Sequence, residues 1–205
     1  MSPRSSKQFD DIRKQKKKLI LDTALELFAE NGFHATSISQ IAKKAGISKG
    51  LTYNYFESKD EILHEIIQEG YETIYSNFDL NQDGELTEEE FIFFIKQSFR
   101  ITRENQKFWK LYFSVMLQPK VANMFEKEYT EKSKPILSMF YNFVKSKGSK
   151  DPESDVMAIS AMMEGAYLFI VTASDFFPPE KLEQTIIDAS FRIINNQNSS
   201  TKKIK

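Results

Sequence analysis

The sequence predicts an all-α chain, and three observations carry that expectation. Apolar residues recur at helical spacing from one end to the other. Runs that alternate apolar and polar residues, the pattern of a half-buried strand, are nearly absent. Residues that start and stop helices stand at the ends of the periodic segments. With 205 residues, 40% hydrophobic and 28% charged, the chain can build one or two domains around a real core.

Ile20, Ala24, Leu27 and Phe28 fall on one face of a first helix that stops near Gly32. Ser37-Ile38-Ser39-Gln40 matches a capping box and opens a short helix through Ile41, Ala42 and Ala45. Gly46 can supply a left-handed turn, and Ser48 is placed to cap a second short helix reaching about Tyr55. Ser58-Lys59-Asp60-Glu61 is another capping box, opening a long helix through Ile62, Ile66, Tyr71 and Ile74. Further helices are expected at 88–103, 106–117, 119–146, 152–175 and 178–196. Pro135 should bend the 119–146 helix, and Pro178-Pro179 should start the last one. The polar stretch from Asn195 onward is expected to fray.

Composition narrows the function. There are no cysteines, so disulfides and thiolate metal sites are excluded and a reducing cytoplasm fits. His34 and His64 are not spaced to share a metal. No run of 18 or more apolar residues is present, and Met1 to Lys18 is polar and basic, so neither a membrane span nor a signal peptide is expected. The formal net charge of −1 hides an asymmetry: residues 1–60 carry eleven Lys and Arg against seven Asp and Glu, while the rest of the chain is acidic. A basic end on an acidic body suits contact with a polyanion. Phosphate-cradling glycine loops, G-x-S-x-G elbows and cysteine nucleophiles are missing, which argues against an enzyme and against an organic cofactor.

Two short helices around Ala45-Gly46-Ile47-Ser48 have the length of a helix-turn-helix. Ile38, Ile41, Ala45, Ile47 and Leu51 can hold the pair against the first helix. The second helix is otherwise polar, with Ser48, Lys49, Thr52, Tyr53, Asn54 and Tyr55. Lysine, threonine and tyrosine hydroxyls contact phosphates, and Asn54 could read a base edge in the major groove.

The stretch Ile41-Ala42 through Ala45-Gly46 to Tyr53-x-Tyr55-Phe56-x-Ser58-Lys59, set within residues 14–75, resembles the DNA-binding domain of the TetR family. Leu51-Thr52 reverses the order more usual there. The resemblance implies a nine-helix homodimer. It divides the chain into an N-terminal arm and three-helix DNA-binding domain over 1–58, a ligand-binding and dimerisation helical domain over 59–198, and a tail over 199–205. It implies Ser37, Ser39, Lys49, Gly50, Thr52, Tyr53, Asn54, Tyr55 and Lys59 as contacts to double-stranded operator DNA. Lys59 stands in the first turn of its helix, where its charge could reach a phosphate. A repressor released from its operator by a small apolar or aromatic effector is the function so implied.

Asp79-Leu80-Asn81-Gln82-Asp83-Gly84-Glu85-Leu86-Thr87-Glu88-Glu89-Glu90 comes from the residues alone and is not a usual feature of that family. It matches an EF-hand loop, with oxygen side chains at positions 1, 3, 5 and 9, Gly at 6, Leu at 8 and Glu at 12. The expected ligands are Asp79, Asn81, Asp83, the Glu85 carbonyl, Thr87 and Glu90, for Ca2+ or alternatively Mg2+. Tyr71, Ile74, Tyr75 and Phe78 before the loop, and Phe91, Phe94 and Ile95 after it, have the apolar spacing of flanking helices. The competing reading is a polar connector in which Thr87 caps the next helix and Glu90 completes the capping box.

Bulky apolar residues crowd positions 93–170. Phe94, Phe108, Trp109, Tyr112, Met116, Phe140, Met163 and Tyr167 are the candidates for an effector pocket, and at helical spacing such residues are mostly core. Ile159, Met163, Ala166 and Ile170, then Leu182, Ile186, Ala189 and Ile193, form stripes that would suit a four-helix dimer seam or packing within one subunit. A calcium-binding helical module without specific DNA binding is the rival function.

Overall fold

The computed structural model describes residues 6–195, and among them it contains nine α-helices and no strand. The expected tail and the first five residues of the N-terminal arm lie outside the described residues. The helices are α1 (Ser6–Asn31), α2 (Ile38–Lys44), α3 (Lys49–Tyr53), α4 (Lys59–Tyr75), α5 (Glu88–Glu104), α6 (Gln106–Met116), α7 (Pro119–Ser146), α8 (Pro152–Thr172) and α9 (Pro179–Asn195). They form two compact units: a head of residues 6–72 and 111–124, and a body of residues 73–110 and 125–195.

α1 begins well before the first buried apolar residue. Its early part is mostly exposed, Phe9 and Ile12 included. Lys, Arg and Gln dominate that stretch, and such straight-chain residues lose little side-chain freedom in a helix. From Ile20 onward the helix buries Ala24, Leu25 and Phe28, which share the head's core with Phe33, Ile41, Phe56, Ile62, Leu63 and Ile66. The rings of Phe28 and Phe33 pack edge to face with centroids 5.1 Å apart. Two ion pairs brace the outside of this core, Lys17 to Glu65 and Lys44 to Glu26.

Gln118, far away in sequence, closes the head. Its Nε2 donates to the Phe28 carbonyl at 2.8 Å and its Oε1 accepts from the Phe33 amide at 3.0 Å. One side chain thereby pairs the Phe33 amide just beyond α1 and gives a second donor to the Phe28 carbonyl, which also accepts from the Gly32 amide.

In the body, α5 packs against α8 and α9. Phe78, Phe91, Phe94, Phe140 and Phe143 form a chain of ring contacts with centroids 4.8–6.3 Å apart. The Tyr167 hydroxyl donates to Ser98 Oγ at 2.9 Å, so a fully buried serine is paired. α7 runs through Pro135 as one helix of 28 residues. α8 is long and apolar enough to cross a membrane by length and composition. Ile159, Met163, Ala166, Tyr167 and Ile170 on that helix are nevertheless buried within the body.

Candidate functional site

The helix-turn-helix is built from local signals. Ser37 caps α2, and the Gln40 side chain accepts from the Ser37 amide at 2.7 Å, completing the capping box. Gly46 has φ 67°, a conformation a β-carbon penalises, and it makes the turn. Ser48 Oγ then accepts from the Leu51 amide at 3.0 Å to start α3. Ile41 and Ala42 are buried, so α2 is anchored by its apolar face.

That anchoring decides what α3 can offer. Lys49, Gly50, Tyr53 and Asn54 are exposed, as are Ser37 and Ser39 on the neighbouring helix start. The Lys49 ammonium stands 5.8 Å from the centre of the Tyr53 ring. Tyr55 is half-buried, with the Arg13 guanidinium 5.5 Å from its ring centre. Arg13 was not among the expected contacts. Its basic stretch is visible in the sequence, but only the early start of α1 carries it to the end of α3.

Two expected contacts are placed differently. Thr52 is fully buried, and its hydroxyl donates to the Ser48 carbonyl at 3.3 Å. The half-buried Leu51 is the more accessible of that pair. Lys59 directs its ammonium at the carbonyls of Phe33, His34 and Thr36, at 2.8, 3.2 and 3.0 Å. An ammonium has three N–H donors, and all three are used. Lys59 therefore ties down the α1–α2 connection and has no donor left for a phosphate. Thr36 supports the same connection, its hydroxyl lying 2.9 Å from the Gly32 carbonyl and 3.2 Å from that of Leu27.

Residues 79–90 fold around their own side chains. Asp79 Oδ2 accepts from the Gly84 amide at 3.0 Å, Asn81 Oδ1 from Asp83, and Asp83 Oδ1 from Glu85. Gln82 and Gly84 take φ values of 59° and 80°. Thr87 caps α5, and Glu90 completes that capping box as the connector reading expects. Glu90 Oε2 accepts from the Thr87 amide and hydroxyl, and Oε1 from the Leu80 amide. The Thr87 amide bond, with the further bonds from the Thr87 hydroxyl and Leu80, holds its carboxyl below the ordinary range against the opposing effect of burial. Among the described residues, no group of three or more Asp, Glu or His side chains is gathered as a cation site. Asn81, Asp83, Glu85 and Thr87 are all exposed, whereas Asp79 Oδ1 is buried without a hydrogen-bond partner.

A cavity of about 330 Å³ opens within the body. Phe94, Phe140, Met163 and Tyr167, expected to line a pocket, do so. Phe108, Trp109, Tyr112 and Met116 are not on its wall. Trp109 is buried with its indole N–H on the Ile101 carbonyl, and Tyr112 lies in the head, donating to the Ile67 carbonyl. Tyr75, Phe78, Phe91 and Tyr129 complete the aromatic wall, and Glu164 brings a carboxylate to it. The expected dimer stripe is mostly interior. Ile159, Met163, Ala166, Ile170 and Ile186 are buried inside the subunit, while Leu182, Ala189 and Ile193 are half-buried. The large apolar residues that α8 leaves exposed are Met157, Leu168 and Phe169.

Residues 20–66 match the model of the bacterial regulatory proteins of the tetR family. The chain is 44% identical over 63 residues to the uncharacterized HTH-type transcriptional regulator YuxN of Bacillus subtilis, covering 31% of this chain and 22% of that protein. It is 46% identical over 50 residues to a fatty acid metabolism regulator protein of the same organism, covering 24% of this chain and 26% of the relative. These matches span about a quarter of the relatives' own length. Two solved structures extend the likeness to the whole chain. A TetR-like transcriptional regulator from Rhodococcus sp. RHA1 superposes with TM-score 0.64 at 21% identity, covering 94% of this chain and 97% of that one. The fatty acid degradation regulator FadR from Bacillus halodurans gives TM-score 0.63 at 18% identity, covering 96% and 99%. Residues 20–66 thus match the tetR-family model, and the chain as a whole has the fold of TetR-like regulators.

Proposed function

We propose that this protein is a sequence-specific DNA-binding transcriptional regulator that acts as a homodimer, without catalytic activity. One observation carries the reading: α3 is anchored through the buried Thr52 while Lys49, Gly50, Tyr53 and Asn54 face solvent. A short helix held on one face and polar on the other suits entry into a major groove. Lys49 and Tyr53 contact phosphates beside the groove, and Asn54 reads a base edge. Arg13 adds positive charge at the end of α3. The body's cavity supports the regulatory half of the reading, a repressor released from its operator when a small apolar or aromatic molecule enters.

Selection of bound fragments from a random DNA pool tests this proposal. The expected result is enrichment of a palindrome, with affinity falling steeply as salt rises. Retention without any enriched sequence would overturn it. That same result, together with calcium binding, would favour the rival function of a calcium-binding helical module.

A cation at residues 79–90 is a second element of the proposal, favoured by one observation. Asp79 Oδ1 is a buried, unpartnered acceptor in a loop whose other donors are the oxygens a hard cation takes. Asp79, Asn81, Asp83, the Glu85 carbonyl, Thr87 and Glu90 are the residues that would hold Ca2+, or Mg2+ in its place. The ion would supply structural bracing, and Glu90 would have to divide its oxygens between the ion and the α5 cap. Calorimetric titration of calcium into the full chain should give a heat that Asp79→Asn abolishes. An absence of heat in the unmodified protein would end the idea.

A further inference from the structure

We infer that the effector is a cationic molecule with an aromatic or apolar body, and that Glu164 is the residue that selects its charge. The inference rests on the effector reading above and adds the chemical class to it.

The cavity wall is overwhelmingly apolar and aromatic, yet α8 places a carboxylate on it. Among the described residues, no hydrogen bond or ion pair is made by the Glu164 carboxylate. Lys134 also lines the cavity, but its ammonium pairs with Glu131 at 2.7 Å. Burial raises the Glu164 carboxyl's pKa above the ordinary range. Solvent reaches the side chain through the open cavity, while the surrounding wall still withholds much of the hydration a carboxylate prefers.

The tyrosine hydroxyls on the wall are engaged elsewhere. Tyr75 and Tyr129 hydrogen-bond to each other, and the Tyr167 hydroxyl is committed to Ser98. Burial first, and ionised Glu164 among the lesser causes, pushes Tyr75 and Tyr167 well above the usual phenol range, so both rings stay neutral. A lone anionic group set among neutral aromatic faces attracts a cation twice over. The carboxylate supplies the opposite charge, and the ring faces supply cation–π attraction. An anionic ligand such as a fatty acid would meet repulsion at the same place. A serious competitor is a protonated Glu164 that donates a hydrogen bond to an acidic or neutral ligand, and the experiment separates the two.

The test uses the full-length protein and three probes that share one phenylalkyl chain: 4-phenylbutyltrimethylammonium, 5-phenylpentanoate and 5-phenylpentanol. Calorimetry is run on the unmodified protein and on Glu164→Gln, whose thermal midpoint without probe verifies folding. The expected result is tightest binding of the ammonium probe, weakened about tenfold or more in Glu164→Gln. The other two probes should lose nothing in that variant. Carboxylate or alcohol binding as tightly as the ammonium, or an ammonium affinity untouched by Glu164→Gln, would overturn the inference and leave the effector reading in place. If none of the three probes binds, the effector reading fails along with it.

Discussion

The ring of Tyr112 occupies the space that a β-carbon on Gly70 would need. A β-carbon built there would lie 2.2 Å from Cε2 and 2.6 Å from Cζ of that ring. Tyr112 is 6% exposed and its hydroxyl is held by the Ile67 carbonyl at 3.2 Å, so the ring has no route aside. Glycine is thus required in the middle of α4 for close packing, at a known cost in helix propensity. Gly70→Ala should destabilise the head by about 1–3 kcal/mol through overpacking. Tyr112→Phe keeps the ring and should cost about 1 kcal/mol for the lost hydrogen bond. Urea denaturation of both variants measures the two effects. An alanine that stabilises the protein would mean the ring yields.

Lys49 and Lys59 should part company when each is replaced by alanine. Lys49 is exposed on α3, so its loss should flatten the dependence of log affinity on log salt by about one unit. Lys59 spends its donors on the carbonyls of Phe33, His34 and Thr36, and its ammonium lies 4.5 Å from the Phe33 ring centre. Its loss should lower stability by about 1–3 kcal/mol and leave the salt slope unchanged. Salt titrations by fluorescence anisotropy, paired with thermal melts, read both. A flattened slope for Lys59→Ala would return that residue to the phosphate contacts.

What could be read from the sequence was whatever is decided within a few residues. The Ser37–Gln40 capping box, the Gly46 turn and the Ser48 cap are short-range chemistry, and the structure forms each of them. The identity of the side chain facing outward on α3 is a packing question, and the burial of Thr52 in preference to Leu51 depends on how the head closes. Lys59 looks like a phosphate ligand because lysine usually is one. Its actual partners are brought to it by a loop more than twenty residues away. Gln118 gives no signal at all, since the groups it satisfies stand 85 and 90 positions earlier. The stripes on α8 and α9 are ambiguous for a deeper reason. A helix face buried in its own subunit and one buried in a dimer seam obey the same periodicity.

That ambiguity yields a comparison between Phe169 and Ile186. Phe169 is 41% exposed and stacks on Phe177 at 4.3 Å, within the apolar surface that α8 turns outward. Ile186 is only 6% exposed and belongs to the subunit core. Phe169→Glu should shift the protein from dimer to monomer with its helical content kept, whereas Ile186→Glu should unfold the body because a buried charge has no partner there. Sedimentation velocity and circular dichroism together distinguish the outcomes. A Phe169→Glu protein that remains dimeric would place the seam elsewhere.

Glu164 should also leave a mark on stability as pH changes. Its carboxyl is raised above the ordinary value of 4.5 in the folded state, and burial is the cause. Between 4.5 and the raised value, the folded protein holds the proton more tightly than the unfolded chain does. Stability from this group therefore increases as pH falls through that window, and the ionised carboxylate is a liability above it. Solvent access through the cavity keeps the effect modest. Glu164→Gln removes the titration, so the variant should melt higher than the unmodified protein at neutral pH. The gap should shrink as the pH drops below the window. Scanning calorimetry over a pH series reads that difference. A constant gap would mean that Glu164 is hydrated as fully in the fold as in the open chain, and that the cavity does not desolvate it.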